Sequence, residues 1–201
     1  MKVSRVFILI SLITLSKQSF SQGFVKGIAS RLEFGLKGGA NYTGFTNASF
    51  PTDPLIGFHA GATVAFKITS NFLIQEEFLF STQGAKSKGD FFTSQTNQNI
   101  NLYYMAVPIL LKYRTNSGFY IEAGAQTGYK LKEDVAGSGT GDLFKKLDLA
   151  AAGGIGYQTK IGLGIGARYV YGLSKVGDFK ASDITNDFKN NAVQVSVFYV
   201  F

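Results

Sequence analysis

The chain alternates apolar and polar residues with a period of two over eight segments, and this pattern limits its fold more than any other feature. In the first segment, Phe34 and Leu36 alternate with Glu33 and Lys37. Successive residues of a β-strand point to opposite sides of the sheet, so this period indicates strands with one apolar face. The segments begin near residues 32, 56, 72, 100, 119, 147, 161 and 193. The pattern predicts eight strands.

The connections between these segments alternate between short and long. The short ones are Thr69–Asn71, Thr115–Ser117 and Gln158–Lys160. The long ones are polar and span residues 43–54, 84–99, 131–144 and 172–191. Barrels of the bacterial outer membrane join their strands by short periplasmic turns and long outer loops. We therefore predict an all-β fold, an eight-stranded antiparallel up-and-down transmembrane β-barrel over residues 31–201.

The N-terminal residues predict export. Lys2 and Arg5 precede a short apolar run, Val6–Leu15, and small side chains follow it. This is the pattern of a secretory signal peptide, and the run is too short to cross a bilayer as a helix. We predict a signal peptide over residues 1–21, a short periplasmic lead over residues 22–30, and a final location in the bacterial outer membrane.

The polar faces of the predicted strands carry charges of both signs. A strand can cross a bilayer only within a closed barrel, which turns apolar side chains to lipid and polar ones inward. The predicted lumen charge network comprises Glu33, Lys37, Lys67, Glu77, Lys112, Glu122, Asp148 and Arg168. Opposite charges are expected to pair there, because an unpaired buried charge costs several kcal/mol.

Alternation alone does not determine which face of the barrel is inside, nor where the side chain of Glu76 points. A soluble barrel of the lipocalin type would turn its apolar face inward and its charges outward. The predicted signal peptide and the alternating loop lengths favour the membrane barrel. In addition, Glu76 beside Glu77 would face lipid in a regular strand, and we hypothesise a bulge that turns both inward.

No residue pattern indicates catalysis, a cofactor or a metal ion. His59 is the single histidine, cysteine is absent, and His59 is expected to be a hydrogen-bonded lumen residue. The glycine-rich segment Gly137–Asp142 lacks the Gly-Lys-Ser/Thr ending of a phosphate loop. Asp178, Asp183 and Asp187 lack EF-hand spacing. The formal charge of +7 is spread without basic runs, which argues against nucleic acid as a partner.

Two segments resemble PorT-like outer-membrane β-barrel proteins. Residues Asn101–Tyr113 resemble the fourth-strand signature of that family, roughly Tyr-Leu-x-x-Pro-Leu-Leu-x-Lys-Tyr, and Gln75–Lys86 resembles the segment one hairpin earlier. Glu76 departs from the proline common there. The resemblance implies a small barrel like OmpX and OmpA; some members of the family are linked to protein secretion across the outer membrane.

The last segment resembles the assembly signal of outer-membrane barrels. It alternates apolar residues up to Tyr199 and Phe201, which we predict to be read by the barrel-insertion machinery. The function expected is structural or surface interaction through the outer loops of a barrel with a side-chain-filled lumen, with no enzymatic activity. The alternatives are a narrow, porin-like pore and an accessory component of outer-membrane protein secretion, with an extracellular or secretion partner unknown.

Overall fold

The structure is a computed structural model that describes residues 27–47, 52–87, 98–135, 144–177 and 187–201. Its strands are β1 (Leu32–Thr46), β2 (Thr52–Lys67), β3 (Phe72–Ser87), β4 (Gln98–Arg114), β5 (Phe119–Val135), β6 (Leu147–Gln158), β7 (Leu163–Gly172) and β8 (Lys189–Val200). The predicted signal peptide lies outside the described residues. No helix in the described part of the chain is long and apolar enough to cross a membrane.

The eight strands form a closed antiparallel barrel in which each strand pairs with its neighbours in sequence. β1 closes the barrel against β8, from Gly35 paired with Val200 to Thr46 paired with Lys189. The chain divides into two units, residues 1–32 and 33–201, and the ladder that closes the barrel lies within the second. The predicted fold class is confirmed.

The two faces of the barrel wall differ sharply in polarity. Large apolar side chains such as Phe34, Ile109 and Val195 are more than half exposed on the outside. Charged side chains such as Glu77 and Arg168 are buried on the inside. A soluble barrel would show the opposite distribution, because water favours polar groups on the surface. The outer surface is therefore suited to lipid.

Tight turns close the hairpins at one end of the barrel, which the sequence predicts to be the periplasmic end. Thr115 and Thr159 each accept a backbone hydrogen bond within the turn that they open, from Gly118 and Gly162 respectively. Both glycines have a positive φ, of 100° and 89°, a conformation that other residues rarely adopt. The strands beside these turns alternate strictly, and the geometry of each turn sets the register in which its two strands pair.

The hairpins at the opposite end are longer than the sequence predicts. β1 and β2 continue to Thr46 and from Thr52, and β3 and β4 continue to Ser87 and from Gln98. The predicted connections over residues 43–54 and 84–99 were therefore too long. The reason is that polar residues can also form strands above the bilayer, where their side chains satisfy backbone groups. Thr43, for example, donates to the carbonyl oxygen of Gly84 at 2.8 Å.

The hypothesised bulge at Glu76 is wrong. Glu76 pairs with Val64 on one side and Ile109 on the other in regular register, so its side chain stays on the outer face. Pairing between β3 and β4 is interrupted just beyond it, where Pro108 has no N–H to donate. A register shift does occur between Tyr103 and Tyr104 on β4, opposite β5.

Candidate functional site

The middle of the lumen is filled by a buried cluster of ionised side chains centred on Arg168. Its guanidinium donates to both carboxylate oxygens of Glu77, each at 2.8 Å, and to Oε1 of Glu122 at 2.8 and 2.6 Å. Glu77 is 0 % exposed and Arg168 is 3 % exposed. A bidentate, charge-assisted arrangement of this kind fixes both geometry and charge.

Two lysines complete this central cluster. Lys37 Nζ lies 3.2 Å from Oε1 of Glu77, and Lys112 Nζ lies 3.4 Å from Oε2 of Glu122. Lys112 also donates to Gln75 at 2.6 Å. Three cations thus face two carboxylates. The ring of Tyr120 lies 4.2 Å from Lys112 Nζ, so a cation–π contact offsets part of the excess positive charge.

A second ionic cluster closes the periplasmic end of the lumen. Arg114 donates to both oxygens of Glu33, at 3.0 and 2.8 Å, and Lys67 Nζ lies 2.9 Å from Glu33 Oε1. The predicted residues Glu33 and Lys67 therefore pair with each other rather than with the central cluster. Arg114 was missed by the sequence analysis. Its inward position was readable, because it lies two residues after Lys112 on the same strand.

Asp148 joins neither cluster, contrary to the prediction of one network. It lies at the start of β6, opposite Gly128, whereas Glu122 pairs further down the barrel with Gly154. Its carboxylate accepts a hydrogen bond from Ser174 at 2.8 Å. Among the residues that the structure describes, no ion pair reaches Asp148. Its height along the strand, rather than its inward direction, separates it from the cations.

A layer of neutral hydrogen bonds lies above the central cluster. His59 contacts Asn41 Oδ1 through Nδ1 at 2.7 Å and Ser196 Oγ through Nε2 at 2.9 Å. Asn41 donates in turn to Ser81 at 3.0 Å. His59 therefore lies in the lumen with both ring nitrogens engaged, as a structural hydrogen-bonded residue would.

An apolar cap closes the outer end of the lumen. It consists of Phe45, Ala85, Ile100, Leu102, Tyr104, Phe144, Val176 and Phe188. The ring of Phe45 lies 5.0 Å from that of Phe188 and 5.9 Å from that of Phe144. Lys130 and Glu133 form an ion pair, and they bind the backbone carbonyl and N–H of Phe144 respectively. Phe144 is thereby held over the lumen, and its β-bridge to Gly177 joins it to the residues that follow β7.

The sequence analysis missed this cap for two reasons. Val176 and Phe188 stand as single apolar residues in segments predicted to be polar loops, and Phe144 has only one apolar neighbour there, Leu143. In addition, Lys130 and Glu133 are an odd number of residues apart, so regular alternation would turn them to opposite faces. The register shift between β4 and β5 turns both inward.

The glycines of β7 make room for aromatic rings in the lumen. A Cβ on Gly164 would lie 2.2 Å from the ring of Phe198, and one on Gly166 would lie 2.3 Å from the hydroxyl of Tyr120. The rings occupy this space because Phe198 lies on β8, which pairs with β7, and Tyr120 lies on β5, two strands from β7 in the closed barrel.

Tyr199 and Phe201 lie together on the outer face. Their rings are 5.5 Å apart in an edge arrangement, and Phe201 is 75 % exposed. The N–H of Phe201 donates to the carbonyl oxygen of Phe34 at 2.9 Å, which extends the contact between β8 and β1 by one residue.

The described residues contain no group of histidine, cysteine or carboxylate side chains that could hold a metal ion. Glu76 and Glu77 point to opposite faces, so they do not form a carboxylate pair. Asp187 pairs with Lys175 at 2.5 Å. Gly137–Asp142 and the other two loop aspartates lie outside the described residues.

Residues 17–178 match the family described as outer membrane protein beta-barrel domain. Among solved structures, Neisserial surface protein A is 16 % identical with a TM-score of 0.52, over 84 % of this chain and 97 % of that one. OprG from Pseudomonas aeruginosa is 15 % identical with a TM-score of 0.50, over 84 % of this chain and 95 % of that one. The attachment invasion locus protein Ail of Yersinia pestis is 16 % identical with a TM-score of 0.50, over 84 % and 98 %.

At these identities the solved structures support the fold alone, and no curated protein matches the sequence. The family match covers most of the barrel strands and places them in the lipid bilayer of the bacterial outer membrane. The chain belongs to the outer membrane protein beta-barrel domain family.

Proposed function

We propose that this outer-membrane barrel is a closed scaffold that acts through its outer loops, in a structural or surface-interaction role without catalysis. The observation that supports it is the filled lumen. The central cluster around Arg168 spans the interior from β1 and β3 to β5 and β7, and the apolar cap covers it. An eight-stranded barrel encloses little more than the volume of its own side chains.

A narrow pore is the second candidate, and the buried ion pairs weigh against it. Water and ions would have to pass Arg168 and its two carboxylates, which are held by four hydrogen bonds of 2.6 to 2.8 Å. Removing one partner from such a group leaves the other charge unpaired in the interior. A steady open state therefore needs a rearrangement of the whole cluster.

The proposal also covers the subfamily of the chain, its export and its assembly. We infer membership of the PorT-like group from the segments around Gln75–Lys86 and Asn101–Tyr113. We also infer that residues 1–21 are removed as a signal peptide and that the insertion machinery reads Tyr199 and Phe201. A role as an accessory in outer-membrane protein secretion fits the same architecture, with contacts made by the outer loops.

Conductance tests the closed lumen. Residues 22–201 are refolded in detergent, checked for a compact band that heating converts to the unfolded form, and inserted into a planar bilayer. We expect no steady channels, while a general porin added to the same bilayer confirms detection. Reproducible single-channel steps from the refolded protein would establish the pore instead.

Loop replacement tests the surface role. A Gly/Ser segment of equal length replaces residues 88–97 in one variant and the periplasmic turn 68–71 in a matched control. Cells that carry each protein are compared for attachment to a solid surface and to one another. We expect a loss of attachment only for the outer-loop variant. Equal attachment of both variants and the parent would contradict the proposal.

A further inference from the structure

Glu76 is an acidic side chain on the lipid-facing side of the barrel. Its neighbours across the strands, Val64 and Ile109, are apolar, and so are Ile74 and Phe78 along its own strand. Regular pairing on both sides leaves it no route into the lumen. No hydrogen bond or ion pair from the described residues reaches its carboxylate.

Glu76 lies near mid-height of the apolar band. Phe72 and Phe80 stand four residues below and above it on the same face of β3. Phe72 contacts Tyr113 near the short turns, and Phe80 lies beside Phe58 towards the other end of the barrel. A strand rise of about 3.4 Å per residue and a tilt of about 40° separate Phe72 from Phe80 by roughly 20 Å of height. The nearest lipid headgroups are therefore about half of that height away from Glu76. Its side chain has only two methylene groups and is too short to reach them.

An acidic side chain in this position requires a partner that neutralises its charge. Ionisable residues inside a membrane are rare and generally pair with one another or line a site. The lysines on the outer face of the described strands are Lys86, Lys132 and Lys189, and all three lie at the outer ends. Lys132 and Lys189 contact the rings of Tyr103 and Tyr171 there. They are too far along the barrel axis to serve Glu76.

The charges argue against a second copy of this chain as the partner. A two-fold symmetric contact through this face would bring Glu76 towards Glu76, like charge against like charge. A contact through any other face would offer apolar residues at this height, since the described cations there point into the lumen. The partner must therefore bring its own donor.

We propose that the face formed by β2, β3 and β4 around Glu76 docks a different membrane-spanning protein, one that presents a lysine or arginine at mid-membrane height. The carboxylate forms a charge-assisted hydrogen bond with that cation, and the apolar residues around it pack against the partner strand. The low dielectric of the surrounding bilayer and protein strengthens the pair.

Site-specific photocrosslinking in the intact outer membrane tests this proposal. A photoreactive phenylalanine replaces Ile109, beside Glu76, or Val195, on the far side of the barrel, in the full chain. The same two positions are labelled in a Glu76→Gln background. We expect an adduct from position 109 that falls at least tenfold with Glu76→Gln and is absent from position 195.

Two further readouts define the partner. Mass spectrometry must place the crosslink within a few residues of a lysine or arginine in a membrane-spanning segment. Glu76→Lys must abolish the adduct, and replacing that cation with glutamate in the partner must restore it. The heat-sensitive compact band of each variant shows that the barrel is folded.

Several outcomes would overturn the proposal. These are a crosslinked dimer of this chain, an adduct with lipid, an adduct that persists in Glu76→Gln, and the absence of any adduct from position 109. A protonated Glu76 that contacts only lipid would give an adduct with lipid or no adduct from position 109.

Discussion

The balance of charge in the central cluster makes a quantitative prediction about two substitutions, Arg168→Met and Glu77→Gln. Arg168→Met removes a cation and leaves Lys37 and Lys112 facing Glu77 and Glu122, two charges of each sign. Glu77→Gln leaves three cations facing one carboxylate. Both remove strong hydrogen bonds, but only Glu77→Gln leaves uncompensated charge. It should therefore be the more damaging change.

The expected magnitudes follow from the burial of these groups. Removing one partner of a buried ion pair costs about 3–5 kcal/mol. We expect Arg168→Met near the lower value and Glu77→Gln near the upper one, because Glu77 is 0 % exposed and contacts two cations. A difference of about 1.4 kcal/mol corresponds to a tenfold change in the unfolding equilibrium constant.

Urea unfolding in lipid vesicles, followed by the shift of the folded gel band, measures the free energy of unfolding. Lys175→Met is the matched control, because its pair with Asp187 is exposed and should contribute less than about 1 kcal/mol. A larger loss for Arg168→Met than for Glu77→Gln, or losses below about 1 kcal/mol for both, would refute the argument from charge balance.

Three further predictions address the cap, the inward glycines and the last strand. Phe188→Ala should lower the free energy of unfolding by about 3–5 kcal/mol, since the ring is fully buried in the apolar cap; a change below about 1 kcal/mol in urea unfolding would show that the cap is not packed. Gly164→Ala should cost about 1–3 kcal/mol because its Cβ meets a lumen ring at 2.2 Å, whereas Gly153→Ala, with its nearest atom at 3.9 Å, should change stability by less than about 0.5 kcal/mol; equal effects would disprove the clash. Deletion of Phe201 should reduce the folded barrel recovered from outer membranes while refolding of the purified chain in detergent continues, and an unchanged membrane yield would contradict a role in assembly.

The sequence alone predicted the barrel, and the physical reason is local. Alternation in a strand depends only on neighbouring residues, so Phe34 and Lys37 reveal their faces without any tertiary information. Turn signals likewise act over a few residues, as Gly118 shows. The inward direction of Lys37, Glu77, Glu122 and Arg168 was therefore readable from the sequence.

The closed barrel determines which of the inward side chains contact one another. Arg168 and Glu77 are 91 residues apart in sequence, and only the stagger of the strands sets them at one height. The same stagger separates Asp148 from that cluster and pairs Glu33 with Arg114. Alternation carries no information on height, because it repeats every two residues along the whole strand.

The tertiary structure also decided the departures from regularity. The register shift near Tyr104 turns Lys130 and Glu133 to the same side, and the two then hold Phe144 in the apolar cap. Conversely, the absence of a shift at Glu76 leaves its carboxylate facing lipid. A bulge depends on how two strands pair, so the sequence of one strand does not determine it. Local alternation specified which residues form the two faces of the wall. Strand pairing specified the contacts of the interior and the position of Glu76 on the described outer face.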